Sequence, residues 1–317
     1  MTPHRVIQTI LRSTLLLWVC CVVLPVRAEV YTVQMTDSDT RNKMIAVDFG
    51  GRRRLFHFDT GCSSMAINSQ LLRELREQGL VILSQEQTNA HTEVMMSNGE
   101  TKQARSLLIK KMKIGDCEFT NVVAQVGTND KPDAPLLLGQ SILERMKTYS
   151  IQGTTLQFEP YDEDYQQALA LAEYHYNDKE YASAISNQLL PYFREGRLSC
   201  FFTYKLLFAL QHTDAYADAL EVLQYIRNQQ DRWAPSRSDI DLAEIESLLY
   251  YNTAVDDYNA DRYELALLNA GKAKQAAQSI RNTQAKQKRL HGVGTLYWYI
   301  YSQTDPQKAK AYEQYKL

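Results

Sequence analysis

The feature that most restricts the fold is a change of period near Tyr161. Before it, apolar residues alternate with polar ones as they do in strands. After it, alanine, leucine and tyrosine return at helical spacing and glycine becomes rare. A chain of 317 residues with this division reads as two domains, one all-β and one all-α. Its 44% hydrophobic and 23% charged residues suffice for packed cores.

The β part is expected over residues 29–160. Val30 to Met35 alternates, and Met44 to Phe49 does so again. Gly50-Gly51 is a two-residue hairpin signal, with Arg52 to Phe58 as the return strand. Asn98-Gly99 marks a second hairpin, flanked by Glu93–Met96 and Glu100–Gln103. Leu107–Ile114 and Phe119–Val126 pair across Gly115-Asp116. Short strands with regular turns predict a closed or sandwich-like β domain. Gln70 to Gln78 interrupts them as a charged amphipathic helix.

The helical part is expected over residues 161–317. A short pattern occurs three times, beginning at Glu180, Ala215 and Arg262. In each, an aromatic stands three positions before an alanine: Tyr181 and Ala184, Tyr216 and Ala219, Tyr263 and Ala266. A small residue there lets paired helices approach closely. The first two copies stand near the roughly 34-residue tetratricopeptide period, and the third is further off. This half resembles tetratricopeptide repeats; the plainer reading is a tyrosine-rich helical bundle.

Residues 1–28 read as a signal peptide. His4, Arg5 and Arg12 precede the apolar run Leu15–Leu24, and Val26-Arg27-Ala28 fits a small-residue cleavage site before Glu29. An uncleaved anchor is the alternative. The run is short for a membrane span. The protein is thus expected to be exported; together with the resemblance to bacterial proteins described below, this makes a bacterial periplasm or envelope the expected destination. Cys62, Cys117 and Cys200 remain after cleavage, an odd number that excludes a complete disulfide framework. No C-x-x-C or H-E-x-x-H occurs, so no metal or other cofactor is expected. A net charge of −2 gives no reason to expect nucleic acid.

The chemistry concentrates in Phe56-His57-Phe58-Asp59-Thr60-Gly61-Cys62-Ser63-Ser64. Alternation puts Leu55, His57 and Asp59 on one face of the strand and Phe56 and Phe58 on the other. Thr60 supplies a hydroxyl, and Gly61 lets the backbone turn tightly. One such acid is a poor catalyst. Two facing each other share a proton, so that one can act as base on a water while the other donates to a carbonyl.

Asp59-Thr60-Gly61 after an apolar strand resembles the active-site motif of retropepsin-like aspartic proteases. The surroundings strengthen the likeness. Met44–Phe58 is similar to the family's hairpin into the motif, and Met96-Ser97-Asn98-Gly99 stands where the flap would be. Lys113–Val122 is similar to the strands after the flap in bacterial members. Leu136–Leu143 is similar to the apolar-glycine segment and closing helix, and Tyr149–Phe158 to the terminal hairpin. The resemblance spans the first domain and implies an acid-protease barrel. It also implies an aspartic endopeptidase with Asp59, Thr60 and Gly61 at the catalytic centre. His57, Ser63, Met96, Asn98 and Gly99 would line the substrate path. Only one such triplet is present. The second acid must come from a second copy, so the resemblance implies a homodimer. The resemblance implies a peptide or protein substrate, and helical repeats would offer a surface for a protein partner.

Two residues depart from the pattern. Cys62 stands where relatives carry alanine or serine, and is expected either as a small buried hydrophobe or as a weak donor to the carboxylate. His57 stands where an apolar residue is usual. These departures leave a second reading open, a catalytically silent dimeric scaffold or peptide-binding protein on the same fold. A third keeps the enzyme but makes dimerisation depend on a partner of the helical domain.

Overall fold

The computed structural model describes residues 29–38, 42–82, 92–95, 101–127, 131–175, 179–229 and 240–316. The expected signal segment lies outside the described residues. So do Met96, Ser97, Asn98 and Gly99 of the expected flap.

Twelve strands form among the described residues: β1 (Tyr31–Gln34), β2 (Thr36–Asp37), β3 (Lys43–Phe49), β4 (Arg52–Phe58), β5 (Met65–Ile67), β6 (Val81–Ile82), β7 (Thr92–Met95), β8 (Thr101–Ile114), β9 (Cys117–Gly127), β10 (Leu137–Leu138), β11 (Met146–Gln152) and β12 (Thr155–Pro160). The larger sheet runs β2-β3-β4-β10-β5-β9-β8-β6, and β3 also pairs with β8. That extra pairing, Val47 with Ile114 and Asp48 with Lys113, closes the sheet on itself. Closure leaves one apolar interior. Ile45, Val47, Phe49, Phe56, Ile109, Phe119 and Leu138 fill it. Gly50 and Gly51 turn β3 into β4 with φ of 63° and 93°. Both values lie in the left-handed region that such a two-residue turn requires. Strand β7 pairs with the start of β8, Met95 opposite Thr101.

A smaller sheet, β1-β12-β11, flanks the barrel. The first strand is shorter than the sequence suggested. Val30 is exposed, and the backbone breaks at Met35, which turns into the core before β2 resumes. Helix α1 (Ser69–Glu77) fits the amphipathic expectation, burying Leu71, Leu72 and Leu75. Asn68 caps it by accepting from the Leu71 amide at 2.9 Å. Such a cap contributes about 1 kcal/mol. The Asn68 amide also donates to the Ala134 carbonyl at 2.8 Å, tying the helix to the loop before β10.

After the four-residue helix α2 (Gln140–Leu143) and the β11–β12 hairpin, the chain turns helical. The succession is α3 (Glu163–His175), α4 (Ala182–Arg194), α5 (Cys200–Leu210), α6 (Tyr216–Asn228), α7 (Leu242–Asn259), α8 (Tyr263–Gln278), α9 (Thr283–Thr304) and α10 (Pro306–Ala309). Consecutive long helices pack on one another. The three copies of the aromatic–alanine pattern open α4, α6 and α8, the second member of each pair. Ala219 and Ala266 are fully buried, as close helix approach requires. The first copy departs: Ala184 is exposed, and Ala182 and Ile185 are buried instead. A 3-10 turn over Lys179–Tyr181 precedes this helix and changes which residues face its neighbours.

The helical part has two cores. One runs from Tyr165 to Leu249, rich in leucine and aromatics. The other is small and alanine-rich, built on Ala254, Ala266, Ala270, Ala273, Val293 and Ile300. The last turn, Lys310–Tyr315, folds back onto α9. A Cβ built on Gly294 would stand 2.6 Å from the Tyr315 ring. Gly294→Ala is therefore expected to expel this turn and to destabilise the helical domain by about 1–3 kcal/mol. Thermal melting and proteolysis at the C-terminus check this; an unchanged melt would show that the turn carries no stability.

Candidate active site

Strand β4 delivers Asp59 to the mouth of the barrel. Its alternation is as the sequence predicts: Phe56 is fully buried, while Leu55, on the opposite face, is 51% exposed. Strand β4 is held on both sides. Met44 of β3 stands opposite His57, and β10 runs parallel with Leu137 beside His57 and Leu138 beside Phe58. The hold extends one residue past the strand, where the Asp59 amide donates to the Leu138 carbonyl at 3.1 Å. Asp59 is thus fixed by the sheet although it belongs to a loop.

The loop from Asp59 to Ser64 turns on its own acid. The Gly61 amide donates to Asp59 Oδ1 at 2.8 Å, and the Cys62 amide donates to the Asp59 carbonyl at 3.3 Å. One carboxylate oxygen is therefore oriented by the backbone. Asp59 is half-buried, whereas Thr60, Gly61 and Ser63 are exposed. This arrangement can present an oriented carboxylate to an incoming group.

Helix α2 lies beneath the loop and grips it. The Gln140 amide donates to the Cys62 carbonyl at 2.8 Å, and its side chain donates to the Thr60 carbonyl at 2.7 Å. Ser141, fully buried, accepts from the Met65 amide at 2.8 Å. Gly139 makes the approach possible, because a Cβ there would fall 2.4 Å from the Ser64 carbonyl oxygen. The sequence reading puts Gly139, Gln140 and Ser141 in the closing segment of the fold and gives them no part in the site. A glycine followed by two polar residues, inside an otherwise apolar segment, is the signal that could have pointed to them.

Cys62 is neither of the things expected of it. It is only partly buried, and its thiol donates to the Ser64 carbonyl at 3.0 Å rather than to the carboxylate. Burial raises its pKa, and the nearby charge of Asp59 raises it further. A protonated thiol is a poor nucleophile. Alkylation of Cys62 is expected to be slow at neutral pH and to accelerate above the ordinary thiol range. Labelling at neutral pH as fast as that of a free cysteine would contradict this. Cys62, Cys117 and Cys200 form no disulfide in the described residues.

His57 shares the outer face with Asp59 and is half-buried. Its Nδ1 is enclosed and has no hydrogen-bond partner among the described residues. Asp59, Thr60, Gly61, His57 and Ser63 thus come together at one loop and strand end. The remaining candidates, Met96, Asn98 and Gly99, lie outside the described residues. No group of three metal-ligating side chains occurs among the described residues.

No curated protein matches the chain. Among solved structures, a retropepsin-like aspartic protease from Rickettsia conorii is 22% identical, covers 42% of this chain and 92% of its own, and gives a TM-score of 0.30. Residues 45–145, which hold Asp59-Thr60-Gly61 and the helix beneath them, match the family model described as gag-polyprotein putative aspartyl protease.

Proposed function

We propose that the chain is an aspartic endopeptidase that works as a homodimer, with Asp59 of each copy forming one shared centre. The observation that carries this reading is a single half-buried carboxylate, oriented by the Gly61 amide at 2.8 Å and braced from below by α2. The matched family model supports the same chemistry. The lone triplet supports the dimer, since a shared-proton pair needs two acids. So does strand β11, an edge of the smaller sheet whose outer edge is unpaired among the described residues. It carries Tyr149 and Ile151, each about two-fifths exposed. A sheet edge with apolar side chains is a natural seat for a second copy.

In the reaction, the ionised Asp59 takes a proton from water as the water oxygen attacks the peptide carbonyl carbon. The protonated Asp59 of the other copy gives its proton to the carbonyl oxygen. In the second step the Asp59 that took the water proton gives it to the amine nitrogen, the C–N bond breaks, and the carbon re-forms a carbonyl by returning a hydroxyl proton to the other Asp59, which restores the starting pair. Thr60 and Gly61 shape the loop at this centre. His57 and Ser63 border the substrate path, with Met96, Asn98 and Gly99 as its cover.

The helical domain is read as tetratricopeptide-like and as a surface for a protein partner. Residues 1–28 are read as a cleaved export signal of a bacterial envelope protein; an N-terminus at Glu29 in the isolated protein tests this.

Hydrolysis of a mixed peptide library by residues 29–317, with the oligomeric state recorded in the same samples, tests the enzyme. Activity per chain is expected to rise with protein concentration until the dimer saturates. Dimers that cut nothing from acid to neutral pH would favour the silent scaffold.

A further inference from the structure

Four ionisable side chains, three buried and one half-buried, gather where the two domains meet, and the proposed hydrolysis uses none of them. Glu144 and Arg145 follow directly on α2. Glu173 comes from α3 and Lys205 from α5. Arg145 is fully buried and donates to the Thr120 and Asn121 carbonyls of β9 at 2.7 and 2.8 Å. The Glu144 carboxylate accepts a hydrogen bond from Ser199, the residue that caps α5. Glu173 is buried, and neither of its carboxylate oxygens has a hydrogen-bond partner among the described residues. Arg145 and Lys205 are the charges that face it, and Tyr165 of α3 stands near Glu144.

The same short helix ends at both places. Its first residue, Gln140, holds the Thr60 and Cys62 carbonyls. One turn later the Glu144 amide donates to the Gln140 carbonyl at 2.8 Å, and the Glu144 side chain is gripped by the helical domain. A helix of four residues has no slack with which to absorb a shift at one end.

We propose that the helical domain positions the Asp59 loop through α2, with Gln140 and Glu144 as positioning residues, and that the pair of half-buried Glu144 and buried Glu173 makes this hold tighter in acid than in alkali. This rests on the reading of Asp59 as the catalytic acid. Burial pushes the Glu173 carboxyl up to about 7, against the attraction of Arg145 and Lys205. Burial likewise pushes Glu144 up to about 7, with the Ser199 bond opposing and the Glu173 charge assisting. A carboxyl whose pKa is higher in the folded joint takes up protons as the joint forms. Its contribution is whole in acid, below the ordinary carboxylate range, and fades as pH climbs through about 7. Helical repeats would then serve the active site as a brace whose grip follows the pH of the compartment.

The test is hydrogen exchange of the full chain at about pH 5 and about pH 8, corrected for the intrinsic rate. Segments 59–65 and 139–145 are expected to lose about tenfold in protection at the higher pH, while β1 and β12 do not. Glu173→Gln is expected to keep the acid level of protection at both pH values. Glu144→Gln, which still accepts from Ser199, is expected to flatten the difference as well and decides the matter if the first variant fails to fold. Protection at 59–65 that ignores pH in the wild type, or variants that retain the wild-type dependence, would overturn the proposal. Peptide hydrolysis is recorded alongside. Its absence in every sample would sink the endopeptidase reading and leave the exchange result to stand or fall alone.

Discussion

Asp59→Asn is expected to abolish the proposed peptide hydrolysis and to leave the barrel folded. The expected loss is on the order of a thousandfold or more, because the variant would remove both the base and the acid from the proposed symmetric pair. Asparagine keeps an oxygen to accept from the Gly61 amide, now at 2.8 Å from Oδ1, so the turn should survive. Its melting temperature is expected to match the wild type within a few degrees. The proposed shared centre makes a sharper demand: mixing wild type with excess Asp59→Asn should poison activity by forming one-acid dimers. Wild-type activity that is indifferent to the added variant would mean that each chain works alone, and would end the homodimer reading.

Gly139→Ala is expected to be nearly as damaging, though residue 139 bears no functional group. Its φ of −102° suits any residue, so the constraint is space and not backbone strain. The added methyl would meet the Ser64 and Cys62 carbonyl oxygens at 2.4 and 2.5 Å. Both are backbone atoms and can yield only if the Asp59 loop moves. Overpacking of this kind costs about 1–3 kcal/mol. A displacement of the loop by a fraction of an ångström to an ångström is expected to lower hydrolysis about a hundredfold. Melting and steady-state kinetics check both effects. Gly139→Ala with wild-type rate and melting temperature would show that the contact between α2 and the loop is dispensable.

Much of the β domain was legible because its signals are local. The Gly50-Gly51 turn, the alternation through Arg52–Phe58 and the turn at Gly115-Asp116 each depend on neighbours in the chain. The helical half was legible for the same reason, down to which helix of each pair the tyrosine opens. The exposure of Ala184 was not legible, since a 3-10 turn before it changes the phase by an amount no spacing rule records. The bond from Cys62 to the Ser64 carbonyl was also hidden: a thiol two residues from a carbonyl and three from a carboxylate can serve either, and loop geometry chooses.

The sequence by itself determined the two periods, the turns between strands and the presence of one Asp-Thr-Gly with no second acid to match. These follow from side-chain pattern and backbone preference acting within a few residues. Only the tertiary structure decided that α2 reaches under the Asp59 loop with Gln140 and Ser141, and that Arg145, Glu144 and Glu173 gather between the domains. These residues stand up to some eighty positions from the groups they hold, as Gln140 does from Thr60. Contacts at that range are set by closure of the barrel and by the seating of α3 on β9, which local pattern does not encode.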